Sequence, residues 1–200
     1  MMRSLAAVSG LGAALFAPAF AGMAKAQPVL APISAGHLMV LGKVGALSTA
    51  MGEEVHEAAM AACLAFGAQP EVMALVLTEA GWTKDAELSF ESVSTYVPPA
   101  GSGLSYIELG TEAGYCSVGS QALGGEAARG LSTGLLTHWA GEITSITEGE
   151  GEESCLKHEA KVTLPQAGTI YLSVFSHGEE DLSCDVSASE SVTTYAYVRD

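Results

Sequence analysis

The sequence predicts the α+β class, with an N-terminal helical hairpin and one further helix packed on an antiparallel meander sheet. The first observation is a change of period: apolar residues recur at helical spacing up to about Gly81 and alternate with polar residues from about Leu88. The second is a return to helical spacing around Leu131, followed by a second set of alternating segments. Glycine and proline separate these segments, which predicts short, distinct elements.

Residues 1–26 are predicted to be an export signal that is cleaved. Arg3 gives a positive start, residues 5–16 are an uncharged apolar run, and small-x-small patterns follow at 19–21 and 24–26. Cleavage before Gln27 is preferred, with cleavage before Gly22 as the alternative. The apolar run is too short to span a membrane comfortably. We therefore expect a periplasmic or secreted protein without stable membrane insertion after cleavage.

Residues 27–50 are predicted to be an apolar tether, and residues 51–200 a single α+β domain. The tether is rich in Ala, Gly, Leu and Val, contains Pro28 and Pro32, and is expected to become helical from about His37. Because it is apolar, we expect it to pack on the domain.

The domain is expected to begin with the helical hairpin. A helix is predicted over residues 53–66, because two glutamates stabilise its positive end and Gly67 ends it. Pro70 begins a second helix, at a first-turn position where its missing N–H costs nothing, and Gly81 ends it. The buried stripe of this second helix is predicted to be Val72, Leu75 and Val76.

Two meanders separated by the third helix are predicted next. The first should use residues 88–97, 104–109 and 115–119, which are rich in β-branched and aromatic residues. The helix is indicated by apolar residues at every fourth position, namely Leu131, Leu135 and Trp139. Strands of the second meander are predicted at 156–164, 169–176, 182–189 and 192–198.

All four cysteines lie beyond the export signal, which predicts two disulfide bonds. Three pairings are possible. We prefer Cys63–Cys116, because a helix that covers the sheet can bring its cysteine to a strand. We prefer Cys155–Cys184, because the first and third strands of a meander start at the same end. The spacing favours neither a redox pair nor a four-cysteine zinc site.

The chain is strongly acidic. It has 23 Asp+Glu against 8 Lys+Arg, a formal charge of −15, and loss of residues 1–26 removes Arg3 and Lys25 and brings the charge to −17. This field repels phosphates and anionic lipids, so no nucleic-acid partner is expected. It attracts a cationic protein, a polyamine or a metal ion. Solubility alone also explains such acidity.

His56 and Met60 are the candidate metal ligands. They share one helix face with Cys63, and imidazole, thioether and thiolate together suit copper(I). His37 or Met51 are further possible donors. A disulfide at Cys63 would remove the thiolate and make Met60 a core residue, so no metal site and no cofactor are assigned.

No catalytic residue is assigned. The segments that begin at His56 and His158 each lack the second histidine of a zinc-protease helix. Residues 154–157 match S-x-x-K, but the S-D-N and K-T-G elements that accompany it are absent from the sequence. The acidic run at 148–153 lacks the spacing of a calcium loop.

One resemblance rests on three features: Cys63 on a helix, a second helix that ends at Gly81-Trp82, and the strand segment Gly114-Tyr115-Cys116 before a further helix. Together they resemble a loose group of small exported proteins of gram-negative bacteria. The similarity covers about residues 53–138. It implies a Cys63–Cys116 bond and supplies no catalytic residue, because the group has no known activity.

The sequence therefore favours a non-enzymatic envelope protein that binds a partner through an acidic surface or through the sheet face that the helices leave uncovered. Two alternatives remain at this point. One is a periplasmic copper-binding protein. The other is a hydrolase with an unrecognised site, which clustering of His138, His158 or His177 with Ser or Glu would indicate.

Overall fold

The helical pair, the first set of strands, the further helix and the second set of strands follow one another in the predicted order, whereas the number and bounds of the strands differ from the prediction. The computed structural model describes residues 34–100, 106–110, 114–141, 143, 145–148, 156–164, 168–177 and 190–198. The helices in this part of the chain are α1 (Ala35–Val44), α2 (Glu53–Phe66), α3 (Pro70–Glu79) and α4 (Gly125–Ala140). The strands are β1 (Thr83–Phe90), β2 (Val93–Val97), β3 (Tyr106–Gly110), β4 (Tyr115–Ser120), β5 (Ser145–Glu148), β6 (Leu156–Leu164), β7 (Gly168–His177) and β8 (Glu190–Val198).

The described strands form one antiparallel sheet in the order β1-β2-β3-β4-β8-β7-β6-β5. Each meander is continuous in space, and α4 connects the first to the second. Because β8 pairs with both β4 and β7, the last of the described strands lies in the centre of the sheet. The predicted α+β class, with helices packed on an antiparallel meander sheet, is confirmed.

The helices pack on one face of the sheet and enclose the core there. α2 lies against β4, and α4 lies against β6, β7 and β8. α1 contacts both α2 and α4, and its Val40 is fully buried together with Leu47 just beyond the helix. Part of the segment that precedes residue 51 therefore contributes to the core. Within the described residues, no helix is long and apolar enough to span a membrane.

The buried face of α3 differs from the predicted one. Val72 is 38% exposed and Leu75 is 66% exposed, whereas Met73 and Leu77 are fully buried. α3 packs along a narrow seam on α2, and an i, i+4 pair is sufficient to fill it. Because α3 carries more apolar residues than this seam can bury, its sequence period alone does not identify the buried side.

The strand predicted at residues 88–97 is in fact two strands. β1 begins earlier, at Thr83, and a turn at residues 91–92 separates it from β2. β1 is an edge strand and is largely exposed, so its first half carries charged residues and no alternating apolar pattern. β5 was not predicted either, because it is a strand of only four residues at the other edge of the sheet. The predicted strand at 182–189 lies outside the described residues.

Candidate functional site

The side of the sheet opposite the described helices carries the candidate site, and we call it the helix-free face. Residues that pair directly in an antiparallel sheet point to the same side, and successive residues alternate. The core residues Leu109, Val118 and Tyr195 therefore assign their strand neighbours to the helix-free face. Three rows of side chains cross it at right angles to the strands.

The central row of the helix-free face is polar. The strand register places its members side by side, from β3 to β6: Glu108, Ser117, Thr194, Ser173 and Glu159. Ser117 Oγ and Thr194 Oγ1 are 2.8 Å apart and hydrogen-bonded. Between β3 and β6 the row thus has a carboxylate at each end and hydroxyl groups between them, and the register continues it beyond Glu108 to Thr95 on β2 and Asp85 on β1.

An aromatic row flanks the central row on each side. The register of β3, β4, β8 and β7 aligns the first, which consists of Tyr106, Gly119, Val192 and Phe175. The register of β4, β8, β7 and β6 aligns the second, which consists of Tyr115, Ala196, Tyr171 and Lys161. Because each row lies two residues from the centre, the aromatic rows form walls about 13 Å apart across the polar row.

Two glycines position the tyrosine rings. A Cβ atom on Gly119 would lie 2.4 Å from Cζ of Tyr106, and one on Gly110 would lie 2.4 Å from Cδ1 of Tyr115. Each ring therefore covers a glycine on the neighbouring strand, where a larger residue would displace it. As a result the two rings border Glu108, one on each side along the strand direction. We call Tyr106, Glu108 and Tyr115 the tyrosine–carboxylate cradle.

The electrostatics of the cradle favour a positive charge. Burial raises the pKa of Glu108. Burial also raises the pKa of Tyr106, with further contributions from the carboxylates of Glu108 and Glu190, and it raises the pKa of Tyr115 with a contribution from Glu108. Because the carboxyl group of Glu108 is half-buried, its negative charge is poorly solvated, and burial also disfavours the anionic forms of the two tyrosines. A cation placed between the rings would relieve this.

The helix-free face already holds one cation on an aromatic ring. Lys161 Nζ lies 5.4 Å from the centroid of the Tyr171 ring, within the range of a cation–π contact. Lys161 and Tyr171 are directly paired on β6 and β7, at the far end of the row that contains Tyr115. The protein thus uses a tyrosine of this face to hold an ammonium group.

The predicted metal ligands are not arranged as a metal site. Cys63 is bonded to Cys116, with a Cα–Cα distance of 5.4 Å, so it supplies no thiolate. His56 and Met60 are both fully buried in α2. Among the described residues, no group of three His, Cys, Asp or Glu side chains is close enough to hold a metal ion. The predicted Cys63–Cys116 bond is present, whereas Cys155 and Cys184 lie outside the described residues.

The other candidate donors and bases are dispersed. The ring of His37 packs on Trp139 at 4.4 Å, and Met51 is 67% exposed beyond the end of α1. His138 is exposed on α4, with Nδ1 2.7 Å from the carbonyl oxygen of Gly134. His158 is buried on β6, and its Nε2 is 3.1 Å from Oγ1 of Thr133. The side chain of His177 lies outside the described residues.

A buried pair that sequence reasoning missed joins α2 to the end of β4. Ser120 Oγ accepts hydrogen bonds from the backbone N–H groups of Ala122 and Leu123, so its own hydrogen is directed to Nε2 of His56, 3.1 Å away. Both residues are buried, and burial lowers the pKa of His56 to about 4. Because His56 and Ser120 are separated from solvent, we interpret them as a structural clamp and not as a nucleophile with its base.

Comparisons of the chain with models of protein families, with characterised proteins and with solved structures found no match.

Proposed function

We propose that the protein is a non-enzymatic binding module of the cell envelope, and that it binds cationic groups of a basic partner at the tyrosine–carboxylate cradle. The observation that carries this proposal is the position of Glu108, half-buried between the rings of Tyr106 and Tyr115. The formal charge of −15 supports the same class of partner, because it attracts basic surfaces and repels phosphates and anionic lipids.

The cradle suits the side chains of lysine and arginine. A cation over a tyrosine ring gains about 0.5–1 kcal/mol at an exposed site and more when it is desolvated. A hydrogen bond between two charged groups is about twice as strong as one between neutral groups. Each ring borders the carboxylate on its own side, so a guest that pairs with Glu108 can also contact a tyrosine ring.

A periplasmic or secreted location is part of the proposal. The Cys63–Cys116 bond fits an oxidising compartment, and the predicted export signal at residues 1–26 supplies the route. Copper binding is not favoured as a second function, because the disulfide removes the thiolate and both remaining donors are buried. Ser34 Oγ lies 2.6 Å from Nδ1 of His37 in an exposed contact, but it also accepts the backbone N–H of His37 as the N-cap of α1, so we interpret this pair as a helix cap and do not favour hydrolysis.

Titration with a capped peptide that contains a single lysine tests this proposal. We expect Glu108→Gln to weaken binding by about tenfold, because the amide keeps the shape of the side chain and removes its charge. Glu79→Gln is the matched control, since Glu79 is exposed at the end of α3 and its loss changes the net charge equally. Calorimetry would measure both affinities. Equal effects of the two variants would show that the net charge, and not the cradle, attracts the peptide.

A further inference from the structure

The helix-free face carries further carboxylates besides Glu108: Glu190 lies on the Tyr106 side, and Glu159 lies in the same central row as the cradle, at a defined distance from it. Glu108 on β3 and Glu159 on β6 are members of the same central row, connected through Ser117, Thr194 and Ser173. They are separated by four strand-to-strand steps of about 4.8 Å each, so their Cα atoms lie about 19 Å apart. Glu159 is exposed, which leaves its carboxylate accessible.

The central row also has the width of one extended polypeptide. The two aromatic rows that border it are about 13 Å apart. Packed layers of extended chains are about 10 Å apart, so the space between the rows is wide enough for one such chain. Val192 and Phe175 belong to one of these walls and lie beside Thr194 and Ser173 of the central row. These apolar groups can contact the aliphatic stems of lysine and arginine side chains while the charged ends reach a carboxylate.

The hydroxyl groups between the carboxylates complete the match to a peptide. Thr194 and Ser173 are partly exposed, and a hydroxyl both donates and accepts hydrogen bonds. The amide N–H and carbonyl groups of an extended chain need such partners when they are placed against a protein surface. Neutral oligosaccharides also use hydroxyl and aromatic contacts, but they carry no positive charge for the carboxylates at the two ends.

We propose that the partner is an extended peptide segment that crosses the strands along the central row and places one basic residue in the cradle and a second at Glu159. This inference rests on the proposed function and deepens it. An extended chain advances about 3.3 Å per residue, so a span of 19 Å corresponds to about six residues. Six is an even number, and side chains in an extended chain alternate in direction, so residues i and i+6 both point towards the sheet.

A peptide series tests the inference with the full, oxidised chain. The peptides are capped, of equal length and built from glycine, serine and threonine, with two lysines at i and i+2, i+4, i+6 or i+8. We expect the i, i+6 peptide to bind about tenfold more tightly than the i, i+2 peptide, because it alone reaches both carboxylates without strain. Calorimetry would measure the affinities.

Two variants separate the inference from the proposed function. Glu159→Gln should remove the advantage of the i, i+6 peptide and leave the affinity of a single-lysine peptide unchanged, whereas Glu108→Gln should weaken both peptides. Equal affinity for all spacings, with the Glu108→Gln effect retained, would overturn the extended-peptide inference and leave the cradle intact. Loss of the Glu108→Gln effect would overturn the proposed function itself.

A competition experiment tests whether the ligand of the central row is a peptide or a cationic polysaccharide. Oligomers of a deacetylated amino sugar carry repeated positive charges on a polysaccharide, and they serve as the probe for that class of partner. We expect the i, i+6 peptide to displace them at a concentration about tenfold lower than the i, i+2 peptide requires. Tighter binding of the amino-sugar oligomer than of every peptide would contradict a peptide as the occupant.

Discussion

At the residue scale, burial determines the protonation state of His56. Its side chain is fully buried in α2, it receives a hydrogen bond from Ser120, and its Nδ1 has no hydrogen-bond partner among the described residues. Desolvation penalises the charged imidazolium, so the pKa falls to about 4 from 6.5. His56 is therefore neutral in the folded protein at all but strongly acidic pH.

We predict that His56 destabilises the fold as the pH decreases from about 6.5 towards about 4. In this window the unfolded chain binds a proton at His56 and the folded chain does not. The free energy of unfolding therefore becomes smaller as the pH becomes lower. The full contribution is on the order of 3 kcal/mol. Urea unfolding at several pH values measures it. His56→Gln should show a smaller dependence on pH than the wild type.

His138→Gln is the control for the His56 experiment, because His138 is exposed on α4. Its pH dependence of unfolding should match that of the wild type. A similar change in both variants would contradict a specific effect of burying His56.

We also predict that peptide binding at Glu108 weakens as the pH falls. Its pKa is raised by burial, so the carboxyl group becomes protonated at a higher pH than an ordinary glutamate does. Affinity for a lysine peptide should decrease as the pH falls through this pKa, by up to about tenfold per pH unit for a guest that requires the ionised form. Titration calorimetry at several pH values tests this. Glu108→Gln should bind weakly and with little dependence on pH.

At the element scale, glycines have opposite roles in the helices and in the sheet. Gly130 lies in the interior of α4, where an added Cβ would meet no atom within 4 Å. Gly119 lies on β4 beneath the ring of Tyr106, where an added Cβ would overlap the ring. A glycine in a helix interior is unfavourable because it loses more conformational freedom on folding than alanine does.

We predict that Gly130→Ala stabilises the protein by about 0.5–1 kcal/mol. The matched change Gly119→Ala should destabilise it, because the new methyl group displaces the ring of Tyr106, and it should also weaken lysine-peptide binding. Thermal unfolding and calorimetry measure the two effects. Unchanged peptide binding in Gly119→Ala would show that the ring position does not contribute to the cradle.

At the scale of the whole molecule, the Cys63–Cys116 bond connects the helical layer to the sheet. It joins α2 to β4 and closes a loop of 53 residues. Tyr197 of β8 donates a hydrogen bond to the backbone oxygen of Cys63, so the last strand is also tied to α2. An added Cβ on Gly67 would lie 2.7 Å from Cβ of Cys116, which shows how closely the end of α2 approaches β4.

Removal of this disulfide in Cys63→Ala/Cys116→Ala should reduce the free energy of unfolding by about 4 kcal/mol, because a loop of this length gains conformational entropy in the unfolded chain. Urea unfolding of the variant and the oxidised wild type measures the difference. Lysine-peptide affinity should stay within about twofold at low temperature, since the bond lies on the helix side of the sheet. A large loss of affinity in the folded variant would contradict this separation.

Local signals predicted several elements closely. The bounds of α2 and the start of α3 agree with the structure, because the acidic first turn, Gly67 and Pro70 act on their own neighbours in the chain. The bounds of β6 also agree. The sequence did not predict which side of α3 is buried or where β1 begins, because both depend on what lies beside those elements in space.

The candidate site could be predicted only in part. The acidic charge and a sheet face left free by the helices were expected from the sequence, but no cradle was. Tyr106 and Glu108 are two residues apart on one strand, so the sequence alone places them on the same face of the sheet. Tyr115 belongs to the next strand, and its ring comes beside Glu108 only because Gly110 has no side chain and leaves room for it. Glu159 is distant along the chain and joins the same row through the pairing of β8 with β4.

By itself, the sequence determined the class of the protein, the bounds of its strongly capped helices, its acidic charge and the expectation of disulfide bonds. These properties depend on short-range spacing and on composition. The tertiary structure alone decided the order of the strands, the buried side of α3, the burial of His56 and the alignment of Glu108 with Glu159. Each of those depends on which distant residues pair across the sheet, and the free energy of that pairing comes from packing and burial that no local pattern records.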